Sequence, residues 1–283
     1  MTGTLLSIGH GYSAQALEPL LLPRGWTIIG TTRNADKAHA MAARGVTPLI
    51  WPGTPLPLAQ ATHVLTSVAP RQDDPVLAAH GDQIASATHL RWVGYLSTIG
   101  IYGDHQGAWV DEDTVPNAVS ARARARVNAE TAWQDICARA GVRLHIFRLA
   151  GIYGPGRGPI AKLREGRAQR VVKPGQYFSR IHQADIGQAL DRAIHSDIGN
   201  RVYNLCDDHP APPQDVLACA ARLAGMPVPP EIPFEDADLT PMARSFYADS
   251  KRVRNDRIKR DLGVELLYPD YESGLRAILD AEG

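Results

Sequence analysis

Short apolar runs alternate with stretches of helical period from the start of the chain. Leu5-Leu6-Ser7-Ile8 is a run of strand length, Ala16, Leu17, Leu20 and Leu21 recur at helical spacing, and Trp26 to Ile29 is apolar again. The same reading predicts a helix over 35–44, a strand over 46–50 and a proline- and glycine-rich connection over 51–57. It then predicts a strand over 63–68, a helix over 74–87, a strand over 90–97, a long helix over 120–140 and a sixth strand over 142–148.

Strands that alternate with helices pair in parallel, because each helix carries the chain back across a face of the sheet. The expected fold is therefore α/β, a Rossmann-type doubly wound parallel sheet complete near residue 150. The expected domains are 1–150, with a return around 178–205, and a smaller substrate-binding lobe mainly over 151–283. Prolines crowd the stretch from Pro210 to Pro241, so this lobe reads as rich in loops. It is expected over the carboxyl edge of the sheet, where open α/β sheets bind ligands.

The turn after the first strand is Gly9-His10-Gly11-Tyr12-Ser13-Ala14, a G-x-G-x-x-A pattern between a strand and a helix. Gly9 suits the tight turn, Gly11 lets a pyrophosphate approach the backbone, and Ala14 lets helix and strand pack closely. The N–H groups of Tyr12 and Ser13 would open the helix toward the phosphates. The bland alternative is a plain turn. The second strand ends in Gly30-Thr31-Thr32-Arg33, where an NAD site would carry an acid for the ribose 2′-hydroxyl. Arg33 there suits a 2′-phosphate, with Thr31 and Thr32 as supplementary donors, so NADP is expected ahead of NAD. A solvated arginine at a loop start is the competing reading.

Composition narrows the class. The 283 residues are 44% hydrophobic, enough for one large or two modest domains, and 30 basic residues balance 30 acidic ones. Neither nucleic acid nor an anionic membrane surface is an expected partner; a small-molecule substrate is, with a homodimer as the candidate assembly. Cys137, Cys206 and Cys219 form no CxxC pair, and the ten histidines show no ligand spacing, so no metal site is expected. With no leader pattern and no apolar run near the length of a membrane span, a reducing cytoplasm is the expected location.

Three further stretches follow in order: Tyr95-Leu96-Ser97-Thr98-Ile99-Gly100-Ile101-Tyr102-Gly103, then Arg148-Leu149-Ala150-Gly151-Ile152-Tyr153-Gly154-Pro155-Gly156-Arg157, then Arg180-Ile181-His182-Gln183-Ala184-Asp185-Ile186. With the glycine turn they make the chain resemble the extended short-chain dehydrogenase/reductases, the NAD(P)-dependent epimerase/dehydratase group, over nearly its whole length. The resemblance implies that Thr98 holds a substrate oxygen beside the nicotinamide. It also implies that Ser67, Val68 and Ala69 skirt the cofactor's riboses. The glycine pattern departs from the family's usual TGxxGxxG, which marks an atypical branch.

The family's Tyr-x-x-x-Lys pair is missing. Counting back from Glu130, Arg126 stands at the lysine position and Arg122 at the tyrosine position. An arginine side chain stays charged at any ordinary pH and cannot donate the proton that such a tyrosine gives. At 100° per residue the two arginines lie within about 40° of each other beside the apolar stripe, so they border the sheet-facing side. Contact with cofactor or an anionic substrate and a solvated charge run both fit. Tyr102 and Tyr153 are the candidate replacement acids, against packing beneath the lobe. Two functions remain open: an NADP-dependent oxidoreductase or epimerase/dehydratase-like enzyme for a small carbonyl, hydroxyl or sugar-type substrate, and a non-catalytic NADP-binding regulator or sensor.

Overall fold

The computed structural model describes residues 2–282. A seven-stranded parallel sheet is its centre, built from β1 (Thr4–Ile8), β2 (Thr27–Thr32), β3 (Thr47–Ile50), β4 (His63–Thr66), β5 (Trp92–Thr98), β6 (Arg143–Leu149) and β7 (Arg201–Leu205). Its order is β7-β6-β5-β4-β1-β2-β3. The order reverses between β1 and β4, and the carboxyl ends of the strands on either side of such a switch are where open α/β sheets bind ligands.

The strands read as nearly continuous apolar runs because both faces are covered. Successive side chains point to opposite faces: Leu5, Leu65, Leu96 and Phe147 enter one core, whereas Leu6, Val64, Tyr95 and Ile146 enter the other. The first core is closed by α1 (Tyr12–Gln15), α2 (Glu18–Leu21) and, further along, α7 (Gln183–His195). The second is closed by α4 (Pro75–Ala85) and α5 (Ala121–Ala140), while α3 (Ala35–Ala43) lies between β2 and β3 in sequence. Ser120 caps α5, its hydroxyl accepting from the Ala123 N–H at 3.1 Å.

Two expectations are corrected. The sheet has a seventh strand beyond the six expected, β7, which lies within the expected return around 178–205 and pairs in parallel with β6 from Arg201 beside His145 to Leu205 beside Leu149. The helix expected across Ala16 to Leu21 is broken into α1 and α2, with a further 3₁₀ turn over Leu22–Arg24. Pro19 has no N–H for the carbonyl of Gln15 and its ring would crowd that carbonyl, so the regular ladder stops there.

A third core lies beyond the sheet, where α6 (Pro159–Arg164), α8 (Pro213–Leu223) and α11 (Tyr271–Asp280) pack around Tyr153, Val216, Ala220 and Leu275. Short parallel pairs tie this lobe down. Gly151–Tyr153 pairs with Arg180–His182, and Trp109–Val110 pairs with Arg252–Val253. The remaining helices are α9 (Pro241–Phe246) and α10 (Asp256–Leu262). No helix among the described residues is long and apolar enough to cross a membrane.

Candidate functional site: a dinucleotide cradle

The glycine turn is pinned on both sides. Gly9 adopts φ +78, and its N–H donates to Thr31 Oγ1 at 2.7 Å, while the Ser67 hydroxyl donates to the Gly9 carbonyl. A side chain at Gly9 would also press on Ser67 Oγ and Val68 Cγ2, each 3.0 Å from an added Cβ. Gly11 is different: an added Cβ would meet only the Gly9 carbonyl, at 3.7 Å. The space above Gly11 is open, and no side chain caps the start of α1. The first N–H groups of a helix have no acceptor within it, so Tyr12 and Ser13 offer donors into that space. Residues and shape fit a pyrophosphate.

Thr31 is not a supplementary donor to the cofactor: it is 2% exposed and its hydroxyl is the acceptor that holds Gly9. Thr32 and Arg33 stand at the carboxyl end of β2, where Thr32 Oγ1 accepts from the Asn34 N–H at 3.3 Å. Arg33 is exposed and has no ion-pair partner among the described residues. Ser67, Val68 and Ala69 follow β4 across the switch point, and only Ala69 is fully exposed.

Sequence reasoning missed the support beneath this turn. His10 points inward, with Nδ1 2.9 Å from Ser7 Oγ and Nε2 2.9 Å from Glu18 Oε1. Arg44 Nε donates to Glu18 Oε2 at 2.6 Å. Burial pushes the Glu18 carboxyl up, but the hydrogen bonds from His10 and Arg44 outweigh it and hold the group below its ordinary value. A histidine between two turn glycines was the only local signal; its partners come from two other elements.

At the β5 end, Thr98 is half-buried and its Oγ1 accepts from the Gly100 N–H at 3.1 Å, which leaves the hydroxyl proton free for a ligand oxygen. Ser97 beside it donates to Glu130, and Glu130 pairs with Arg148 at 2.8 Å. Arg148 Nη1 donates to the Tyr102 hydroxyl at 2.9 Å, and that hydroxyl donates to Asn204 Oδ1 at 2.7 Å.

This chain removes Tyr102 from the role of replacement acid. Tyr102 is 0% exposed, its proton is committed to Asn204, and burial pushes its phenol up to about 12. Tyr153 is no better placed, being buried with its hydroxyl directed at the Asp270 carbonyl, and burial raises its phenol further still.

Arg126 reaches the sheet, donating to the Leu96 carbonyl at 2.8 Å and the Tyr95 hydroxyl at 3.1 Å. Arg122 points the other way, to Ser245 Oγ at 3.3 Å, with its guanidinium 5.3 Å from the centre of the Phe246 ring on α9. The structure therefore separates the pair: Arg126 is held against the carboxyl half of β5 and Arg122 bridges to the lobe. His182 and Asp185 serve the fold. His182 Nδ1 caps α7 through the Ala184 N–H at 3.2 Å, and Asp185 accepts from the N–H groups of Leu267 and Tyr268. Burial raises Asp185 to about 6, although both N–H contacts favour its anion. No group of three or more metal-ligating side chains is found among the described residues.

No family model matches the chain. It is 27% identical to protein YeeZ of Escherichia coli K12, over 93% of this chain and 95% of that one. A solved structure described as a functionally unknown conserved protein from Silicibacter pomeroyi is 56% identical, with 99% of each chain covered and a TM-score of 0.94. The human epimerase family protein SDR39U1, solved with NADPH, superimposes with a TM-score of 0.73 at 17% identity, over 98% of this chain and 99% of that one. The Bacillus cereus UDP-glucuronic acid 4-epimerase, solved with NAD, gives a TM-score of 0.76 at 15% identity, over 98% of this chain and 97% of that one.

Proposed function

We propose, for a chain with the fold of the extended short-chain dehydrogenase/reductases, that it binds NADP(H) at the carboxyl edge of β1, β2 and β4. Bound there, the nicotinamide supplies hydride for oxidoreductase or epimerase/dehydratase-like chemistry on a small carbonyl, hydroxyl or sugar-type substrate. The observation that carries the reading is the open space over Gly11 together with an exposed Arg33 that has no ion-pair partner among the described residues. The likeness to a human protein solved with NADPH supports the same cofactor. Three cysteines without a disulfide suit a reducing cytoplasm.

Arg33→Ala is expected to weaken NADPH binding at least tenfold and NADH binding little, since a charge-assisted contact is worth about 1.5–3 kcal/mol. Calorimetry with both cofactors checks this. Equal losses would remove Arg33 from the 2′-phosphate.

In this reading Thr98 holds a substrate oxygen, and Arg126, anchored through Nη1 on the Leu96 carbonyl and the Tyr95 hydroxyl, keeps its other N–H groups for the ribose or a developing oxyanion. Neither is a general acid, so the proton comes from water. General acid catalysis contributes about 10²–10⁴-fold, and turnover on ordinary carbonyl substrates should be lower by that order. Deuteride transfer from labelled NADPH should then change less than about threefold in folded Tyr102→Phe and Tyr153→Phe variants. A hundredfold loss in either would return that phenol to the chemistry. The sensor reading is favoured by the commitment of both tyrosines and of Arg122 to the fold; tight NADPH binding without hydride transfer to any carbonyl or sugar nucleotide would select it.

A further inference from the structure

The cradle is short of positive charge on its own element. No lysine or arginine occurs between Thr4 and Pro23. Regular hydrogen bonding in α1 ends after one turn, so few peptide dipoles align behind the N–H groups of Tyr12 and Ser13. A pyrophosphate carries two negative charges, and three or four neutral donors leave most of that charge uncompensated.

A cation arrives from the loop after β6. The Arg157 guanidinium stands 5.2 Å from the centre of the Tyr12 ring, it is exposed, and no carboxylate pairs with it among the described residues. Several contacts fix that placement. The Tyr12 hydroxyl donates to the Pro155 carbonyl at 3.1 Å, and the Gln183 side-chain amide donates to the Tyr12 carbonyl. Gly154 and Arg157 exchange two backbone hydrogen bonds, each 3.0 Å, which close the loop into a tight turn. Gly154 has φ +154, and an added Cβ there would lie 2.5 Å from the Tyr12 hydroxyl, so loop and cradle meet at van der Waals contact.

We propose that Arg157 is the cation that holds the cofactor's pyrophosphate, reaching it across the Tyr12 ring from the opposite wall of the crevice. This rests on the NADP reading above. It assigns the Gly154–Arg157 loop to cofactor binding, and it explains why a broken helix with an uncharged turn can still serve a dinucleotide.

Calorimetry on the full chain with three ligands separates the possibilities. NADP⁺ carries both the pyrophosphate and the 2′-phosphate, ADP-ribose only the pyrophosphate, and 2′-AMP only the 2′-phosphate. Arg157→Ala is expected to raise the Kd for NADP⁺ and ADP-ribose about tenfold or more and to leave 2′-AMP unchanged. Arg157→Lys should fall between, because an ammonium keeps the charge but loses the planar fork and its stacking on Tyr12. Unchanged affinity for NADP⁺ and ADP-ribose in Arg157→Ala would overturn the assignment, as would an equal loss for 2′-AMP. Wild-type protein that binds none of the three would overturn the cofactor reading, and Arg157 with it.

Discussion

Gly11→Val is expected to abolish dinucleotide binding while the protein still folds. Gly11 has φ −108 and ψ −163, extended backbone that any residue adopts. An added Cβ touches nothing closer than the Gly9 carbonyl at 3.7 Å, so the two valine methyls would project into the space above the turn. A pyrophosphate must approach the backbone through that space to reach the N–H groups of Tyr12 and Ser13. Losing glycine at the helix start costs at most about 1 kcal/mol, which leaves the domain folded. Gly9→Val is the contrast, since φ +78 and contacts at 3.0 Å with Ser67 and Val68 make that position intolerant of any side chain. It should lower the thermal midpoint far more than Gly11→Val, which should shift it by no more than about 4 °C. Wild-type NADPH affinity in folded Gly11→Val protein, measured by calorimetry, would make the turn purely structural.

Why the first six strands were legible and the seventh was not follows from what each buries. Strands β1, β4, β5 and β6 are covered on both faces, and a chain buried on both faces writes itself as an apolar run. Strand β7 opens on an exposed Arg201 and carries Asn204 in its interior, where the amide serves Tyr102 and the Arg254 carbonyl. A polar residue that exists to satisfy distant partners erases the local pattern.

The same division runs through the site. The need for glycine at positions 9 and 11 is a property of one turn and shows in its spacing. The His10–Glu18–Arg44 brace, the burial of Tyr102 and the approach of Arg157 to Tyr12 depend on which elements the fold brings together. Tyr102 looked like an available phenol because spacing reports a residue's position along the chain and says nothing of the groups folded over it. Pro19 was the exception, a visible breaker inside a helical pattern that the apolar periodicity outweighed.

Glu130→Ala is expected to destabilise the fold by about 3–5 kcal/mol, the usual cost of orphaning one half of a buried ion pair. Glu130 and Arg148 are 5% and 6% exposed, and Arg148 meets the carboxylate through Nη2 at 2.8 Å and Nε at 3.3 Å. Without the carboxylate the guanidinium keeps, among the described residues, the Tyr102 hydroxyl and, at 3.4 Å, the Glu112 carbonyl as its hydrogen-bond acceptors. It has no escape by deprotonation, because a guanidinium keeps its proton in a protein. Ser97 loses its acceptor in the same step, so the end of β5 loosens one residue from Thr98. Urea denaturation should show the midpoint falling at unchanged slope, the signature of lost stability with the same surface exposed. The double variant Glu130→Ala/Arg148→Met should recover part of the loss, since two absent charges cost less than one stranded charge. A single variant within about 1 kcal/mol of wild type would show that the pair does not brace the β5 end. A double variant no more stable than the single one would show that the cost comes from the cavity and not from the stranded charge.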